Sequence, residues 1–92
     1  VTIELVGMLR HHAGRGELLM AIPDRLDVIS LLRELEEKHG ILEGLLLGED
    51  HESVRRNLLV LVNGREIGVL DGLATLLSDG DRLTLLPVSH GG

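Results

Sequence analysis

The residues with the clearest chemical possibilities are the last two. The chain ends Leu85-Leu86-Pro87-Val88-Ser89-His90-Gly91-Gly92. Glycines carry no side chain, so Gly91 permits the end to be threaded through a narrow cleft. What such an end delivers is the terminal carboxylate of Gly92. A carboxylate is a poor electrophile. Joined to AMP it becomes a mixed anhydride, open to attack by a sulfur or amine nucleophile. The products would be a thiocarboxylate, thioester or amide at Gly92. The plain alternative is a chain end with no role.

No other group assembles a reactive site. There is no Cys, which removes disulfides, thiolate metal sites and Cys nucleophiles. Ser30, Ser53, Ser78 and Ser89 lack the surroundings of a nucleophile. Gly14-Arg15-Gly16 lacks the rest of a phosphate-binding loop, and Glu49, Asp50 and Glu52 do not match a calcium loop. His11 and His12 are adjacent, without the three or four converging ligands a metal needs, and read as surface residues. His39 and His51 read the same way. His90 adjoins the glycines and could sense pH there. The expectation is a non-catalytic protein with no bound cofactor or metal.

Ninety-two residues suit one domain. The net charge of −6 and the absence of Phe, Tyr and Trp argue against direct nucleic-acid binding, which needs a basic face and stacking surfaces. No apolar run reaches the length of a membrane span, and the first segment does not resemble a secretory signal. The expectation is a cytoplasmic protein with no membrane partner. Lys38 is the only lysine.

The elements that must hold the tail follow from hydrophobic spacing. Thr2-Ile3-Glu4-Leu5-Val6-Gly7-Met8-Leu9-Arg10 reads as one strand, with Ile3, Leu5 and Leu9 on one face and Thr2, Glu4, Val6 and Met8 on the other. A turn at residues 13–16 leads to a second strand at 17–22, implying an antiparallel hairpin. Asp27 can cap a helix whose inner face is Val28, Leu31, Leu32 and Leu35, and Gly40 suits the position past its end. Residues 41–47 read as a short helix or ordered loop, and 48–53 as polar and mobile. Leu58–Val62 reads as a strand, Asn63-Gly64 as a hairpin turn, and residues 65–67 as the return. Residues 70–77 read as a one-turn helix or crossing loop, 78–81 as a turn, and 82–86 as the last strand, which Pro87 limits. This order predicts an α+β fold: a sheet with one helix across a face and the last strand parallel to the first. With Leu83 and Leu85 inward, Leu86 and Val88 would lie outward beside Val6 and Met8. An apolar patch opposite the helix suits a docking partner, and this one sits at the root of the tail.

These segments resemble a known family. Leu9-Arg10-His11-His12-Ala13-Gly14 is similar to the end of the first strand in MoaD/ThiS-type ubiquitin-like sulfur carriers, specifically the small subunit of molybdopterin synthase. Leu61-Val62-Asn63-Gly64-Arg65-Glu66-Ile67 resembles their middle hairpin. Residues 73–81 and the run to Gly91-Gly92 resemble their final third. The resemblance implies a ubiquitin-like β-grasp over residues 1–87, a mixed sheet with one main helix packed across one face, followed by a flexible tail at 88–92. It implies adenylation of Gly92 by a ubiquitin-activating-type enzyme that uses ATP, then conversion to a thiocarboxylate. In molybdopterin synthase the tail enters the large subunit and gives its sulfur to a pterin precursor, a step of molybdenum cofactor biosynthesis. There Leu86 would belong to the docking surface. The tail departs from the Pro-Pro-Val-x-Gly-Gly pattern of MoaD. Its His90-Gly91-Gly92 resembles ubiquitin-related modifiers, which support tRNA thiolation and are attached to lysines of target proteins. Three readings follow: a sulfur carrier, a protein modifier, and an interaction domain with an inert tail.

Overall fold

The computed structural model describes residues 1–40, 42, 54 and 56–88. Its central element is the last strand. Sheet order is β2-β1-β7-β4-β5, with β1 Thr2–Leu5, β2 Glu17–Leu19, β4 Leu58–Val62, β5 Arg65–Glu66 and β7 Arg82–Pro87. β7 runs parallel to β1, with Leu5 opposite Leu85, and antiparallel to β4, with Leu59 opposite Leu86. Both of its edges are therefore bonded, and the chain leaves the sheet from its middle.

The main helix, α2 (Val28–His39), forms for the local reasons its residues suggest. The Asp27 carboxylate accepts from the Ser30 N–H at 2.9 Å, satisfying one of the orphan donors of the first turn. Gly40 closes the helix in the left-handed region at φ 63°, where a Cβ would be strained. Val28, Ile29, Leu31, Leu32 and Leu35 are buried, and Lys38 pairs with Glu34 at 2.8 Å on the wet side. The helix shares a core with the inward side chains of the strands: Ile3, Leu5, Val60, Leu83 and Leu85. This is the expected helix on a mixed sheet, the ubiquitin-like β-grasp.

The first strand is shorter than expected. It ends at Leu5, and Gly7 turns the chain with φ 64° and ψ −132°, a region closed to side-chain-bearing residues. Met8–Ala13 is a short helix, α1, capped at its end by Gly14. Leu9 is buried as expected, from a helix and not from a strand. Leu5 and Leu9 are four apart, a spacing that shares a face in both geometries, so the periodicity did not distinguish them. β1 and β2 are antiparallel as expected, joined through α1 and not by a tight turn.

Asn63 (φ 50°) and Gly64 (φ 84°) make the two-residue turn between β4 and β5. The Asn63 side chain also spans to the turn before β7, donating to Asp81 at 3.0 Å and accepting from the Arg82 N–H at 2.9 Å. Residues 67–77 resolve into two 3-10 turns, Ile67–Val69 and Gly72–Ala74, and a strand β6 (Leu76–Leu77). β6 pairs with β3 (Leu26–Asp27) in a second, two-stranded sheet at the start of α2, a pairing the sequence did not suggest. Pro87 is the last residue of β7 and lies opposite Leu58, one residue beyond the expected end. The expected short helix at 41–47 and the polar stretch at 48–53 lie outside the described residues, apart from Leu42. Leu42 and Val54 are both buried in the core.

Candidate functional site

Alternation along the strands sends a second set of side chains to the face away from α2. Val6 continues the β1 register, its N–H donating to Leu85 O at 3.2 Å, which carries it opposite Leu86. On the other side of β7, Leu59 faces Leu86 and Leu61 faces Thr84. Val6, Leu59, Leu61 and Leu86 are all partly buried.

The other half of this face is polar. Arg82 donates to Glu4 at 2.8 Å and to Glu17 at 2.6 Å, and the Thr84 hydroxyl donates to Glu4 at 3.1 Å. The Arg82 hydrogen bond, and then that of Thr84, hold the Glu4 carboxyl below its usual range; the same two carboxylates raise Arg82. Charges already engaged leave this half less in need of a partner than the apolar half. The apolar half lies where β7 leads to the tail.

Of the expected docking residues, the structure brings Val6 and Leu86 together on adjacent strands. Val88 follows at the strand end, 40% exposed, its N–H bonded to Asn57 O at 3.0 Å. Met8 is 64% exposed at that end of β1, but on α1 and not on the strand. It is therefore out of the row it was expected to join. Leu59 and Leu61 were missed: Leu58–Val62 reads as uniformly apolar, and only its pairing with β7 shows which leucines face outward. Ser89, His90, Gly91 and Gly92 lie outside the described residues. Four residues beyond Val88 span at most about 14 Å when extended.

His11 and His12 are exposed, their ring centroids 6.1 Å apart. Among the described residues no three His, Cys, Asp or Glu side chains are grouped to hold a metal ion. None of the described helices is long and apolar enough to cross a membrane.

The last strand thus ends in the middle of a β-grasp sheet, beside a partly buried apolar row. The ThiS family model matches residues 3–92, from β1 through the terminal Gly-Gly. The chain belongs to the ThiS family. Its relatives are ubiquitin-like sulfur carriers and modifiers, small non-catalytic proteins. Small archaeal modifier protein 3 of Haloferax volcanii is 40% identical over 90% of this chain and 88% of its own length. The sulfur carrier protein CysO of Mycobacterium tuberculosis is 32% identical over 100% of this chain and 98% of its own length. Among solved structures, the BexX/CysO complex of Amycolatopsis orientalis superposes with a TM-score of 0.75 at 28% identity, covering 99% of this chain and 98% of that one. Within the ThiS fold this chain keeps the mixed sheet and the main helix, α2, that the family resemblance implies.

Proposed function

We propose that this ThiS-family chain is a sulfur carrier activated at Gly92. The observation that supports it is the family match running through Gly91-Gly92 on a chain whose central strand points there. The Gly92 carboxylate oxygen attacks the α-phosphorus of ATP in a ubiquitin-activating-type enzyme, and pyrophosphate leaves. A hydrosulfide equivalent then attacks the acyl carbon; the bond to AMP breaks, AMP leaves, and a proton is released. Gly92 becomes a thiocarboxylate. Residues 1–87 serve as the folded holder, and 88–92 as the tail that carries the carboxylate to the activating enzyme's active site. Val6, Leu86 and Val88, with Leu59, form the surface the partner covers, and Met8 borders it from α1.

The acceptor in the leading reading is MoaD-like: the large subunit of a molybdopterin synthase takes the tail, and sulfur passes to a pterin precursor for molybdenum cofactor. A second reading is favoured by the relative named as a modifier and by the His90-Gly91-Gly92 ending. In it the Gly92 adenylate, or an intermediate derived from it, acylates lysines of target proteins, or the thiocarboxylate serves tRNA thiolation. Cytoplasmic location accords with partners that consume ATP.

Intact-mass measurement of the chain recovered from its native host separates these outcomes as thiocarboxylate, conjugate ladder or unmodified acid. Alongside it, ATP–pyrophosphate exchange with the cognate activating enzyme should be abolished by deleting Gly92. The deletion draws the carboxylate back by up to about 3.6 Å, ruinous where reacting atoms must lie about 3–3.5 Å apart. A bulky residue at Gly91 should block threading. Both variants should melt like the parent. Normal exchange by the Gly92 deletion would sink carrier and modifier readings together and leave an interaction domain.

A further inference from the structure

The end of the sheet from which the tail leaves is flanked by basic side chains, on a chain whose net charge is −6. On the β1 side, Gly7 turns beside Pro87; a Cβ there would sit 4.0 Å from Pro87 Cδ. α1 follows with Arg10, His11 and His12 in its last turn, then Arg15 after the Gly14 cap. Gly7, Arg10, His11, Gly14 and Arg15 line an open cleft of about 420 Å³. On the β4 side, exposed Arg56 precedes Asn57, whose carbonyl holds the Val88 N–H.

Two details set this cluster apart from a scatter of surface charge. Arg10 is positioned: its Nε, Cζ and Cδ lie 3.4, 3.5 and 3.6 Å from where a Cβ on Gly16 would be, so its stem lies across the bare Gly16 backbone. Arg10 and Arg15 also form no ion pair with any described residue. The nearby carboxylates of Glu4 and Glu17, across the adjoining cleft that Arg10 also lines, are both engaged by Arg82.

We infer that Arg10 and Arg15, with Arg56 on the opposite flank, are read by a protein partner that rims its tail-entry cleft with carboxylates. This rests on the carrier reading, and the partner is the activating enzyme. Guanidinium groups stay charged throughout the physiological range and match carboxylates as planar forks. Long-range attraction turns the tail end toward the cleft before the short-range apolar row docks, and such steering raises association rates by about 10–10³-fold. A polyanion such as RNA is the weaker fit. The rest of the chain is acidic, and it has no Phe, Tyr or Trp on which bases could stack.

The test uses the full chain with its cognate activating enzyme, reading KM for the carrier, kcat and the association rate across ionic strength. The double variant Arg10→Glu/Arg15→Glu should raise KM and slow association by at least about tenfold at low salt, with kcat unchanged. The gap should close as salt is added, because exposed charges are screened beyond about 10 Å at 0.1 M. Arg10→Gln/Arg15→Gln should fall between, and thermal unfolding of both should match the parent. Arg33→Glu, the same reversal at one arginine on the outer side of α2, should have little effect beside Arg10→Glu or Arg15→Glu taken singly. Wild-type salt dependence in the double variant, or an equal loss in Arg33→Glu, overturns the proposal. If wild type shows no exchange at all, the carrier reading fails first; exchange that needs Gly92 but ignores Arg10 and Arg15 defeats only this inference.

Discussion

Leu86 lies between Val6 and Leu59, partly buried by each. Its position makes it the residue on which fold and docking can be told apart. Leu86→Glu removes apolar cross-strand contacts with its lateral neighbours, worth about 0.2–1 kcal/mol each. For a domain of this size that lowers Tm by several degrees, at about 4–8 °C per kcal/mol. Binding should suffer far more, because a carboxylate buried without a pair at an interface is costly. The expected result is a folded variant that binds its activating enzyme weakly at every salt concentration, measured by titration and circular dichroism. An unfolded variant would mean that Leu86 belongs to the core and that the faces of β7 are reversed.

At the scale of the element, α2 supplies the layer against which the sheet is fixed. Leu32 is fully buried, and Leu31 and Leu35 flank it. Leu32→Ala should cost about 2–5 kcal/mol, the range for a buried large-to-small change whose cavity collapses only in part. Total stability for such domains is about 5–15 kcal/mol, so the variant should be visibly destabilised in urea while remaining folded in buffer. A loss under about 1 kcal/mol would contradict the packing of α2 on β1 and β7. α1 differs in kind. Leu9 is its one buried side chain, Ala13 packs partly against the core, and its outward residues are left to meet a partner.

Across the whole molecule, the Glu4–Arg82–Glu17 cluster joins β1, β2 and β7, and Glu4 and Arg82 are 78 positions apart in the chain. The Arg82 bond, followed by that of Thr84, depresses the Glu4 carboxyl below its ordinary 4.5. A depressed carboxylate adds stability at pH above its unfolded value and loses it as pH falls through the folded one. Tm should therefore begin to fall as pH drops below about 4.5. Glu4→Gln should melt below the parent at neutral pH, by a small margin because the cluster is exposed. The two should converge in acid. A gap that stays constant from neutral pH to strong acid would show that ionisation of Glu4 contributes nothing.

Local chemistry was enough to determine α2, the Asn63-Gly64 turn and the two faces of β7. Asp27, Gly40 and the Asn-Gly pair act on backbone groups within a few residues, and alternation needs no partner to be seen. The family, too, was legible in the ordered segments and the Gly-Gly end. Tertiary structure decided what depends on distant pairing. The β3–β6 sheet rests on two-residue strands, too short to carry a period. The end of β1 turned on whether Leu9 reached the core by strand or helix, and a spacing of four permits both. Leu59 joined the apolar row only because β4 pairs with β7 in that register. Met8 left the row because Gly7 turns the backbone beside Pro87. The carboxylate of Gly92 could be named from the sequence, and the last strand was expected parallel to the first; that β4 pairs along the other edge of β7 required the fold, because two 3-10 turns, β5 and β6 separate those strands in the chain.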